Sequence, residues 1–162
     1  MGKPEEVMSE NLIIRPMEPE DVERVSQIEA ECFTMPWSAA AYRDVLKDEK
    51  YLYLVAVIDG QVAGMCGVTN ILGEGDINNV AVTEKYRGQG IAFAMLSELI
   101  CRGEAFGITE FTLEVRVSNA SAIHVYEKLG FRSEGIRPGF YEKPVEDAMI
   151  MWRRQTVPAI TT

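Results

Sequence analysis

The chain has 162 residues, 47% hydrophobic and 25% charged, the balance of one soluble domain whose core is large enough to fold alone. No apolar run approaches the roughly 18 residues of a membrane span, and the opening MGKPEE lacks the apolar centre of a signal peptide. A net charge of −9 disfavours direct nucleic-acid binding, and three scattered cysteines, Cys32, Cys66 and Cys101, form neither a disulfide framework nor a zinc site, so a cytoplasmic protein without metal is expected.

Residues 1–10 are polar and expected to fray, as are residues 154–162. Residues 12–16 read as a strand stopped by Pro16. Pro19 suits the first turn of a helix, and Val22, Val25, Ile28 and Cys32 give that helix an apolar stripe. Pro36-Trp37-Ser38 breaks it, and Ser38 is a good N-cap for a second helix over 39–46. The connector between them holds Phe33, Met35 and Trp37, side chains that either plug the core or wall a site. Residues 51–58 and 61–72 are strand-like runs joined by Asp59-Gly60, a hairpin signal, and Gly73-Glu74-Gly75 reads as a second turn.

An apolar run over 77–82 then leads into Arg87-Gly88-Gln89-Gly90-Ile91-Ala92 and a helical pattern over 92–106. Strand, glycine turn and helix in that order make a backbone cradle for an anion, because the first N–H groups of a helix lack partners and glycine lets a phosphate approach. Lys85 and Arg87 bring positive charge to the same place. A plain helix start with a flexible turn fits this stretch equally well. Gly107 closes the helix, residues 110–116 read as a strand, and residues 120–128 as a helix ended by Gly130. A last strand pair, 131–137 and 147–153, is expected around a turn at Pro138-Gly139-Phe140-Tyr141. The order β-α-α-β-β-β-α-β-α-β-β predicts a single mixed α/β sandwich over residues 1–162.

On the 110–116 strand, alternation sets Glu114 and Arg116 opposite Leu113 and Val115. Glu114 is then either a solvated strand charge or a base. Tyr126, at helical spacing from Ala122 and Leu129, is either core or a proton donor. His124 lies about 200° around the helix from Tyr126 and faces away from it, which disfavours a Cys–His acyl-enzyme. A dinucleotide fingerprint would need glycine where Phe93 stands.

Leu-Glu-Val-Arg at 113–116, Ser-Asn-Ala-Ser-Ala at 118–122 and Tyr-Glu-Lys-Leu-Gly-Phe at 126–131 carry a specific likeness. With the glycine motif, Pro36-Trp37-Ser38 and Glu-Asp-Ala at 146–148, the chain resembles the GCN5-related N-acetyltransferase (GNAT) superfamily from about residue 12 to 153. Within it the likeness is to the RimI type, which acetylates the N-terminal alanine of a small-subunit ribosomal protein. The resemblance implies acetyl-CoA as co-substrate, lying where two parallel strands splay apart. It implies main-chain bonds from Val80, Ala81 and Val82 to the pantetheine arm. It gives the pyrophosphate to Gly88, Gln89, Gly90, Ile91, Ala92 and Phe93, and a further cofactor contact to Asn119. It makes Glu114 the general base, acting through water, and Tyr126 the acid. Trp37 and Tyr141 become walls of the peptide groove, though packing alone would also explain both. The family often has glycine where this chain has Ala92, a change small enough for the phosphate site to survive. The expected partner is a protein N-terminus, the ribosomal protein, and the expected state a monomer or weak dimer. A lysine or small-amine acetyltransferase, or a CoA-binding module without catalysis, is the alternative.

Overall fold

The computed structural model describes residues 11–154. Leu12–Pro16 (β1) hands over through a 3-10 turn at Pro19–Asp21 to Val22–Cys32 (α1). The join is a two-pronged ion pair in which Arg15 donates to both Asp21 oxygens at 2.7 and 2.9 Å. Ala39–Leu46 (α2) follows, its N-cap Ser38 accepting from the Ala41 N–H as expected.

Tyr51–Ile58 (β2), Gln61–Ile71 (β3) and Glu74–Val82 (β4) form an antiparallel meander. The second turn is Leu72-Gly73, both at positive φ, and not Gly73-Glu74-Gly75. Gly75 lies inside β4, where a Cβ would come within 2.8 Å of the Ile108 side chain. Ile91–Ala105 (α3), Glu110–Arg116 (β5) and Ala120–Lys128 (α4) follow, then Arg132–Glu142 (β6) and Val145–Arg154 (β7). The last turn therefore falls at Lys143-Pro144, not at Pro138–Tyr141. β6 is the sheet's edge, where a proline removes no ladder bond that the strand needs, and the register shift between Arg137 and Tyr141 absorbs the Pro-Gly pair. Arg154, expected in a tail, ends β7 and pairs with Glu110 and Glu134; residues 155–162, like 1–10, lie outside the described residues.

The seven strands run β1-β2-β3-β4-β5-β7-β6, and only β4 and β5 are parallel neighbours. Tyr53, Val55 and Met65 on one face of the sheet meet α1 and α2 through Val22, Val25, Ile28 and Tyr42. Leu54, Cys66, Phe111 and Leu113 on the other face meet α3 through Ile91, Met95, Leu96 and Leu99. Burying each such side chain contributes about 1.5–3 kcal/mol before chain entropy is counted. Among the described residues no helix is long and apolar enough to cross a membrane.

What positions the site is a mismatch in the middle of the sheet. β4 and β5 pair over three residues each, Glu74–Asp76 with Glu110–Thr112, and then part. Opposite Cys66 of β3, β4 carries two residues, Asn79 and Val80, a bulge with Asn79 at φ +54. A bulge bends its strand and raises the local twist. Beyond Asp76 and Thr112 the facing edges of β4 and β5 are left without a strand partner.

Candidate active site

Two clefts meet where β4 and β5 diverge. The first, of about 530 Å³, runs from Val80, Ala81 and Val82 to the start of α3. Gly88 and Gly90 stand there at φ +75 and +80, left-handed values that favour glycine, and a Cβ at Gly88 would meet only open space. Gly90 is the N-cap of α3, so the helix presents its unpartnered first-turn N–H groups beside Ile91, Ala92 and Phe93 on the cleft wall. The far wall is α4, with Asn119, Ala122 and Tyr126. Lys128 holds its ammonium over the Phe93 ring at 4.9 Å, a positive charge at the rim.

Two expected contributors point elsewhere. Gln89 does not line the cleft; its amide donates to the Lys85 carbonyl at 3.4 Å. Arg87 lines it but spends its guanidinium on the Val82 carbonyl, 2.9 Å, and the Cys32 sulfur, 3.2 Å. The Val82 carbonyl is thereby occupied from within the protein.

The second cleft, of about 730 Å³, lies on the α1 side of the opening. Its floor is β4 from Ile77 to Val80 and β5 from Leu113 to Arg116. One wall is the connector after α1, with Phe33, Met35 and Trp37; the other is the β6–β7 tip, with Phe140 and Tyr141. Trp37 packs on Tyr42 and Tyr53 at centroid distances of 5.3 and 6.3 Å and still faces the cleft. Tyr141 is braced by the Arg116 guanidinium 4.2 Å above its ring. Arg116 in turn bonds the carbonyls of Lys143 and Pro144 and the Glu146 carboxylate, so the tip is tied back to β5.

Glu114 projects into this cleft, its side chain 28% exposed, with Arg137 of β6 at 3.9 Å. Tyr126 borders both clefts. It is only 7% exposed, and burial pushes its phenol well above the ordinary tyrosine value. The end of α4 aims it: the Phe131 N–H returns to the Tyr126 carbonyl and the Gly130 N–H to Glu127, a Schellman closure. That closure also sets the Phe131 ring edge-on to Tyr126 at 5.9 Å. Asn119 borders both clefts as well, its side chain capping α4 by accepting from the Ala122 N–H. Cys32 lines the second cleft whereas His124 is exposed and lines neither, so no Cys–His pair forms in the clefts.

Sequence reasoning missed a buried polar cluster beneath the second cleft. Glu29 of α1 and Asn79 at the bulge are joined there, and Tyr42 and Tyr53 donate to them. Two signals pointed to it. Glu29 falls in the stripe of Val22, Val25 and Cys32, and Asn78-Asn79 interrupts an apolar run with a residue type that, glycine aside, tolerates positive φ best.

Residues 22–131 match the Acetyltransferase (GNAT) family. A Bacillus subtilis (strain 168) protein, provisionally assigned as a ribosomal protein bS18-alanine N-acetyltransferase, is 36% identical over 146 residues, 90% of this chain and 97% of its own length. The Haemophilus influenzae ribosomal protein bS18-alanine N-acetyltransferase is 34% identical over 142 residues, 86% of this chain and 96% of its own. The crystal structure of the Escherichia coli ribosomal-protein-S18-alanine N-acetyltransferase superposes with a TM-score of 0.81 at 32% identity, covering 93% of this chain and 99% of that one.

Proposed function

The chain belongs to the acetyltransferase (GNAT) family, N-acetyltransferases that draw on acetyl-CoA, and from that premise we propose that it acetylates a protein N-terminal α-amine, the N-terminal alanine of a small-subunit ribosomal protein. The observation that carries this reading is the parting of β4 and β5 between two clefts, with Tyr126 bordering both and Glu114 in one. The names of relatives matched over nearly their whole length support the acceptor.

The residues present fit acetyl-CoA. The glycine cradle and the bare N–H groups of α3 suit a pyrophosphate, and the side of β4 that faces β5 from Val80 to Val82, beyond the last pair of the two strands, suits the amides of a pantetheine arm. Gln89 would act through the turn's shape, and Val82 through its remaining N–H. The thioester would then reach the junction of the clefts. The amine enters along the second cleft, between Trp37 and Tyr141, whose rings suit a small first residue. Glu114 draws a proton from the amine through water, and the nitrogen attacks the thioester carbonyl. The C–N bond forms, the C–S bond breaks, Tyr126 gives its proton to the departing sulfur, and the second proton shed by the acylated nitrogen returns through water to Tyr126.

Proton availability favours the chain end over a lysine. An α-amine of pKa near ~8 is about one-tenth neutral at pH 7, whereas a lysine near ~10.4 is neutral about four times in ten thousand. One carboxylate working through water suffices for the first. Two peptides test the reading, one beginning with alanine and free of lysine, the other N-terminally blocked with internal lysines. The first should be acetylated and the second should not; comparable kcat/KM for the blocked peptide would move the chain to the lysine branch.

A further inference from the structure

Glu29 is 2% exposed, on the turn of α1 that borders the acceptor cleft. A carboxylate withdrawn from water is costly unless donors surround it. Three donors do, each from a different part of the site. The Tyr42 hydroxyl of α2 donates to Oε1. The Trp37 main-chain N–H, in the connector, donates to Oε2 at 3.1 Å. The Asn79 amide, at the bulge, reaches Oε1 and Oε2 at 3.2 and 3.3 Å. Asn79 in turn accepts from the Tyr53 hydroxyl at 2.9 Å.

This arrangement has two ends. Asn79 holds a positive φ, a conformation that asparagine tolerates better than other side chains and that its hydrogen bonds to Glu29 and Tyr53 help to fix. It immediately precedes Val80 and Ala81, the edge assigned to the pantetheine arm. Trp37 stands on the acceptor wall. Three donors hold both Glu29 oxygens, the Asn79 amide shared between them, so the carboxylate is committed to the protein's own groups.

We infer that Glu29 is a positioning residue, which locks the β4 bulge and the connector carrying Trp37 into one arrangement so that thioester and amine meet in register. This rests on the function proposed above and adds a residue that the proton steps do not use.

The test is steady-state kinetics of Glu29→Ala and Glu29→Gln with acetyl-CoA and the alanine-first peptide, alongside calorimetry with acetyl-CoA and a thermal melt. In Glu29→Ala, kcat should fall by about 10²-fold, the scale of a small misplacement of reacting groups, with a clear rise in peptide KM. Acetyl-CoA affinity should move little, since the pyrophosphate cradle is untouched. Glu29→Gln keeps an acceptor for Trp37, and its amide re-enters the network when Tyr42 and Asn79 turn over, so much of the lost kcat should return. A role confined to stability would lower the folded fraction and leave peptide KM alone, and that result overturns the inference. Glu29→Gln as inactive as Glu114→Gln also overturns it, because the charge itself would then be doing the chemistry. Where Glu29→Ala does not fold, Asn79→Gly serves, since glycine accepts the positive φ and the change deletes the tie to Glu29 along with the acceptor for Tyr53; unchanged kcat in that variant contradicts the inference. Wild-type protein that ignores the peptide contradicts the acceptor assignment and is seen before any variant is made.

Discussion

In the proposed reaction Tyr126 and Glu114 divide the proton chemistry by environment. Burial first, and then the neighbouring Tyr141, keep the Tyr126 phenol protonated well past the usual value near ~10. A group held neutral is a donor at every working pH, so activity should show no alkaline limb from Tyr126 at or below that value. Tyr126→Phe should lower kcat while acetyl-CoA affinity, measured by calorimetry, stays close to wild type, because the hydroxyl matters when sulfur departs. Glu114 is partly wet and reachable by water from the acceptor cleft. Glu114→Gln should lose about 10²–10⁴-fold in turnover near neutrality. The deficit should shrink as pH rises through the α-amine value near ~8, since the nucleophile then deprotonates unaided. A deficit that stays constant with pH would remove Glu114 from the role of base.

Two helix heads, one at the proposed cofactor cleft and one in the frame of the fold, can each be broken alone. At the head of α3, Gly90→Asp puts a side chain on a left-handed residue and a negative charge where a phosphate is expected. Acetyl-CoA affinity should collapse in a protein that still folds; unchanged affinity would displace the cradle from the site. At the head of α1, Asp21 is buried, which alone would raise its carboxyl pKa. The Arg15 hydrogen bonds, the Glu18 N–H and the Arg15 charge outweigh that and hold it below the usual carboxylate range. The folded value is therefore lower than the unfolded one, so the pair stabilises the fold above about pH 4 and the contribution is lost as pH falls further. Arg15→Met should cost about 1–3 kcal/mol at pH 7, and urea melts should show the gap to wild type closing in acid. A gap that ignores pH would mean Arg15 acts through packing.

At the scale of the molecule, legibility followed sequence distance. Ser38, the Gly88–Gly90 turn, the alternation around Glu114 and the Gly130 closure are set by neighbours within a few residues, and the sequence shows them. The last turn was misread because Pro138-Gly139 is a stronger local turn signal than Lys143-Pro144, whereas the ladder with β7 runs on to Glu142. The polar cluster was invisible for the same reason: Glu29 and Asn79 are fifty residues apart and meet only once the sheet forms. The likeness to acetyltransferases rested on short motifs, most of which the fold draws to one opening between β4 and β5, while Glu146 of the Glu-Asp-Ala motif ties back to Arg116 and Ser118.

In the proposed function this opening delivers an acetyl group to the N-terminal alanine of a small-subunit ribosomal protein. Intact-mass spectrometry of small-subunit ribosomal proteins, from cells with and without the gene for this chain, tests it most directly. One protein beginning with alanine should be lighter by a single acetyl group when the gene is absent, and the heavier form should return with the wild-type gene but not with Glu114→Gln. Identical masses in the two strains, or a lost acetyl group mapped to a lysine side chain, would contradict the account.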